Sequence, residues 1–192
     1  LGLASTAAGG TTSLVSVASD GGRADGPSGS NLGGPVSGIS LSADGRFVAF
    51  GSVATNLVPG DTNGQPDVFV RDRRTGITTR VSVGSSGAEG NGPSDRPSIS
   101  ADGRFVAFSS YATNLVPGDT NEYADVFIHD LWSRSTTRVS VDSAGGEGNC
   151  ESREVSVSGD GRWVAFSSLA QNFVPFDRNP LGPDVFVRDR EE

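Results

Sequence analysis

An all-β chain of tandem four-stranded sheets is what this sequence predicts, and three observations carry the prediction. The sequence repeats itself at a spacing of 58 residues: Asp44, Asp102 and Asp160 fall in register, as do Asn56, Asn114 and Asn172. Each repeat holds short runs rich in Val and Phe, separated by Gly, Asp, Asn and Pro. Glycine (27) and proline (10) are abundant while 34% of residues are hydrophobic, a balance that suits strands and turns better than packed helices.

The middle repeat shows the elements in order. A short first strand at 99–101 meets Asp102-Gly103, a hairpin-turn pair in which Gly supplies positive φ at no steric cost. The second strand, RFVAFSS, follows at once; after a long loop come the third, DVFIHD, a turn, and the fourth, TTRVSVD. The second and third carry consecutive apolar residues, Phe105 to Phe108 and Val126 to Ile128, which means burial on both faces. The fourth alternates, with Val139 and Val141 around Ser140, as expected where one face is wetter. A sheet sandwiched at its inner strands and polar at its outer one is a β-propeller blade. Sheets stacked in a solenoid are the alternative, but solenoid repeats usually run about 20–45 residues.

The string S-x-S-x-D-G-R-x-V-A-F-S-S, followed by D-V-F-V-R-D and T-G-x-T-T-R-V-S, resembles the TolB-like branch of WD-type β-propeller repeats over residues 11–190. The resemblance implies the propeller fold, but not one function, since such propellers serve as binding platforms, peptidase gates, lyases and structural domains. It also leads us to expect a secreted protein, extracellular or periplasmic.

The chain parses into a leader or signal-peptide remnant at 1–10 and a repeat domain at 11–192. Three blades fall at about 18–83, 84–141 and 142–192, the last completed by the strand 11–17. That strand, with Thr11, Thr12, Leu14, Val15 and Val17, matches the fourth strands at Thr78 and Thr136, whereas the third repeat stops after DVFVRDR. Closed rings take about four to eight blades, so three do not close alone. Three outcomes are open: a piece of a longer propeller, a ring of two copies exchanging N-terminal strands, or a head-to-tail filament.

The loop between second and third strands carries a candidate cation site. Asp61, Asn63 and Asp67 recur as Asp119, Asn121 and Asp125, and with one extra residue as Asp177, Asn179 and Asp184. Oxygen ligands at alternate positions with a further carboxylate suit a hard cation, and Ca²⁺ is the ion expected. Ordinary Asp and Asn turns are the competing reading. The residues between them differ among copies (GQP, EYA, PLGP) while Asp, Asn and Asp recur.

Catalysis finds little to stand on. His129 is the only histidine; it replaces the Arg of Arg71 and Arg188 and reads as an exposed substitution. There is no Gly-x-Ser-x-Gly elbow and no phosphate-cradling glycine loop. The formal charge is −8, and all 15 basic residues are arginine, which argues against a nucleic-acid partner. Trp163, in register with Phe47 and Phe105, reads as core; Trp132 falls in a turn and Cys150 in a loop. The expectation is a non-catalytic, secreted, self-associating module stabilised by Ca²⁺. The alternative is the ligand-binding propeller portion of a carbohydrate-active or peptidase enzyme.

Overall fold

The computed structural model describes residues 10–29, 37–175 and 182–191. Among them every regular element is a strand, and the strands form three antiparallel sheets in chain order. The first comprises β1 (Ile39–Leu41), β2 (Phe47–Ser52), β3 (Asp67–Asp72) and β4 (Ile77–Arg80). The second comprises β5 (Ser94–Ile99), β6 (Phe105–Ser110), β7 (Asp125–Asp130) and β8 (Ser135–Arg138). The third comprises β9 (Ser152–Val157), β10 (Trp163–Ser168) and β11 (Asp184–Asp189). The first strands approach one another, β1 on β5 and β5 on β9, so the sheets fan outward as propeller blades do.

The Ser-x-Asp-Gly-Arg string builds the turn into each second strand. Ser42 Oγ donates to Asp44 Oδ1 (2.7 Å), which also accepts the Arg46 amide (2.9 Å), while the Phe47 amide donates to Ser42 Oγ (2.9 Å). The Arg of this turn then forks onto the last Asp of the third strand. Arg46 reaches Asp72 at 3.0 and 2.6 Å, and Arg104 reaches Asp130 at 3.0 and 2.7 Å. The guanidinium holds both carboxyls well below the usual carboxylate range. D-G-R and R-D are thus two halves of one clamp.

Period-2 alternation sends neighbouring residues of the inner strands to opposite blade interfaces. Ala49, Val68 and Val70 pack against Ile99, Val106, Phe108 and Phe127 between the first and second sheets. Ala107, Val126 and Ile128 meet Val164 and Phe166 between the second and third. Gly103, at φ 75°, is required here for two reasons: its backbone is left-handed, and a Cβ would collide with the Phe47 ring. Gly161 stands in the same relation to Phe105.

Four expectations are corrected. The first strand of the second sheet is Ser94–Ile99, earlier than 99–101, with an irregularity between Asp95 and Ser98 where Arg96 takes φ 53°. The fourth strand ends at Arg138, because Ser140 turns inward to donate to the buried Asp125 (2.5 Å). His129 is buried, since its ring folds against Thr136 Oγ1 (2.8 Å). Trp163 is 44% exposed because nothing among the described residues lies where Gly103 covers Phe47.

Residues 17–28 join the first sheet as 83–94 and 141–152 join the others, with matching bridges Val17–Arg23, Val83–Glu89 and Val141–Glu147. Val17 O accepts Thr78 Oγ1 (2.5 Å). Thr11, Thr12 and Leu14 are exposed and outside any strand, and Val15 is half-buried. Among the described residues β11 pairs with β10 alone.

Candidate functional site

The long loops of the first and second blades are each held by the connector that follows. In the second blade Asp119 and Asp125 converge with Glu147, their carboxylate oxygens within 4.8 Å of one another. The guanidinium of Arg138 lies among them: Nη1 is 3.5 Å from Asp119, 3.2 Å from Asp125 and 2.7 Å from Glu147. The first blade repeats this with Arg80 at 3.3 Å from Asp61, 3.2 Å from Asp67 and 2.9 Å from Glu89. Asp177 and Asn179 lie outside the described residues, and Asp184 heads β11, half-buried.

The asparagines hydrogen-bond within and around the loop. Asn63 accepts the Gln65 amide on Oδ1 (2.8 Å) and donates through Nδ2 to Asp67 (3.2 Å) and Gly90 O (2.9 Å); Asn121 does the same toward Tyr123, Asp125 and Gly148. They brace the loop as donors and acceptors while the carboxylates face the centre. Glu89 and Glu147, absent from the expected set, supply the third carboxylate. Their signal was legible in the repeated Glu-Gly-Asn of the connectors, which hold Glu where the first has Arg23.

Three carboxylates around one guanidinium leave a formal charge of −2 in each cluster. Burial, and then the neighbouring Asp125, raise the Asp119 carboxyl to about 6; burial and Asp67 raise Asp61 in the same direction. Asp61 Oδ1 and Asp119 Oδ1 are buried without a hydrogen-bond partner, although each is within ion-pair distance of the guanidinium. Oxygens at this spacing fit a cation held at about 2.3–2.6 Å, provided the guanidinium yields its place.

A second feature is the pair of open blade faces. On β11, Val185 and Val187 are 77% and 61% exposed, whereas Val68, Val70, Val126 and Ile128, their register equivalents, are buried between blades. Beside them Trp163 carries the Arg162 guanidinium over its ring at 4.9 Å, as Arg46 covers Phe47 at 4.5 Å. On the far face of the first blade Leu41 is 59% exposed, while its equivalent Ile99 is buried. Gly45, in register with Gly103 and Gly161, has no aromatic ring against it.

This fan of blades, stacked by repeated contacts, defines the class: the chain is a β-propeller structure. No family model matches the chain, and no curated protein matches it. Among solved structures, a protein assigned as TolB from Agrobacterium tumefaciens matches at TM-score 0.50 and 22% identity, covering 82% of this chain and 46% of that one. The β-propeller domain of the Trilobed protease from Pyrococcus furiosus matches at TM-score 0.52 and 17% identity, with coverage of 81% and 39%. TolB from Acinetobacter baumannii matches at 0.49 and 21%, with coverage of 81% and 30%. The fold is a TolB-like β-propeller. The chain spans less than half the length of each of these structures.

Proposed function

We propose that the chain is a non-catalytic interaction module that associates with further copies of itself, blade face to blade face, outside the cytoplasm. The observation that carries this reading is the register of the open faces. Two contacts recur between blades: Ala43 N donates to Ala101 O and Ala101 N to Gly159 O, both at 2.9 Å, while Ile99 N donates to Ser40 Oγ (3.2 Å) and Val157 N to Ser98 Oγ (3.0 Å). One further step of the series places Gly159 N against Ala43 O, Leu41 N against Ser156 Oγ, and Trp163 over Gly45 of a second copy.

Magnitude decides whether the faces suffice. Full burial of a large apolar side chain is worth about 1.5–3 kcal/mol, and association costs on the order of 4–15 kcal/mol, so a handful of side chains only breaks even. Pairing of residues 11–15 with the edge of β11 adds a strand's hydrogen bonds and tips the balance. Native mass measurement of the intact chain tests this. Multiples of the monomer that collapse in a Val185→Asp/Val187→Asp variant are expected; a wild-type monomer at high concentration defeats the proposal, and flanking blades of a longer chain then fill those faces.

Ca²⁺ belongs to the same proposal as a stabiliser: once the Arg138 guanidinium moves aside, a divalent ion takes its place as the counter-charge of Asp119, Asp125 and Glu147. Chelation by EDTA lowers Tm by several degrees on this reading, and an unchanged melt removes it. A second reading, a ligand platform in a larger enzyme, draws on a cavity of about 300 Å³ lined by Arg96, Glu151, Arg153 and Glu154.

A further inference from the structure

The third strands carry Arg71, His129 and Arg188 at one register position, opposite Val48, Val106 and Val164. Two of the three place a guanidinium in the same socket. Arg71 Nη1 donates to Ala18 O (3.1 Å) and Thr78 Oγ1 (2.9 Å), and Arg188 Nη1 donates to Asp142 O (3.2 Å). Ala18, Gly84 and Asp142 are equivalent carbonyls: each closes the same connector turn, accepting from Gly21, Gly87 and Gly145 at 2.9, 2.8 and 3.0 Å. In the first and third blades an Arg is the additional donor to that oxygen. In the second blade the residue is His129, which reaches Thr136 and stops there.

The protonation of that contact follows from the hydroxyl. Thr136 gives its single proton to Val83 O (2.5 Å), so the 2.8 Å contact to His129 has Nδ1–H donating and leaves Nε2 as an acceptor. The imidazole therefore reproduces one guanidinium bond, the one to threonine, and omits the one to the connector carbonyl. A groove of about 560 Å³ lies beside it, lined by His129, Val83, Gly84, Ser85, Leu131 and Arg134. Arg80, which also borders it, is neutralised by its three carboxylates, and the exposed charge of Arg134 is screened by solvent.

We infer that this groove between the first and second blades is a binding site for a guanidinium group from outside the fold, which donates to Gly84 O where Arg71 and Arg188 donate to their own connectors. The occupant is an arginine side chain of a partner polypeptide or free arginine; both present the same planar fork. The site stands apart from the end faces and touches the first carboxylate cluster only through Arg80.

Because His129 is the only histidine, its ring protons give one isolated pair of NMR signals. The probes are arginine amide and the peptide acetyl-Gly-Arg-Gly-amide, with glycine amide at matched ionic strength as control. Saturable shifts of the His129 ring and the Gly84 amide are expected with the arginine probes and not with glycine amide. A tighter constant for the peptide identifies a polypeptide partner, and equal constants identify free arginine. In His129→Arg the new side chain occupies the socket, raising Tm by about 2–4 °C and abolishing the saturation-transfer signal of arginine amide. No saturable shift in the wild-type protein overturns the inference, and so does undiminished arginine binding by folded His129→Arg.

Discussion

Arg138 and Arg80 are the residues on which the loop clusters turn. Removing one partner of a buried charge set costs about 3–5 kcal/mol because the remaining charges are stranded. Arg138→Met is therefore expected to lower Tm strongly in EDTA and to gain more Tm from added Ca²⁺ than the wild type, a difference that thermal melts with and without the ion will read. Two groups of the second blade, Asp119 of this cluster and His129, act oppositely on the pH dependence. Asp119, raised to about 6 by burial, binds its proton in the folded state first, so its contribution to stability falls as pH rises from about 4 to 6. Burial lowers His129 to about 4, below the unfolded value of about 6.5, so its contribution is lost as pH falls from about 6.5 to 4. The two slopes offset one another over nearly the same window. In EDTA, Asp119→Asn should leave a protein whose Tm drops on acidification through that window, and His129→Gln one whose Tm rises, as pH-resolved melts will show.

At the level of elements, the glycines of the Asp-Gly turns separate packing from backbone conformation. Gly103 and Gly45 both have left-handed φ, 75° and 67°, yet only Gly103 lies beneath a ring. Gly103→Ala is expected to cost about 2–4 kcal/mol by chemical denaturation, from a strained φ and overpacking against Phe47. Gly45→Ala should cost only about 1 kcal/mol in the monomer while weakening assembly, because Trp163 of the neighbouring copy is proposed to sit there. Strand order and the apolar runs FVAF and DVF were legible in the sequence because both faces of those strands are buried. The ends of the outer strands were not: TTRVSV alternates like a strand, but Ser140 leaves the ladder to hydrogen-bond Asp125, a side-chain choice the pattern does not record. Register with Phe47 predicts a core Trp163, although burial belongs to the covering blade and not to the residue.

For the whole molecule, the question is what lies on the two open faces. Trp163→Ser leaves the fold's own cores intact, so its Tm should match the wild type at low concentration, while sedimentation at high concentration should show loss of the larger species. A variant that stays assembled would assign the proposed association to residues 11–15 rather than to the blade faces. The repeat of 58 residues, the propeller class and the acidic loops were determined by the sequence, because internal duplication stamps the same local chemistry on each blade. Only the tertiary structure decided which residues those loops face: Glu89 and Glu147 enter from the following connector, Arg80 and Arg138 occupy the centre, and His129 leaves a carbonyl without the donor its siblings supply. Register along a chain specifies position within a blade, whereas charge balance and vacancy arise between blades, where segments far apart in sequence are brought together by the burial of their apolar faces.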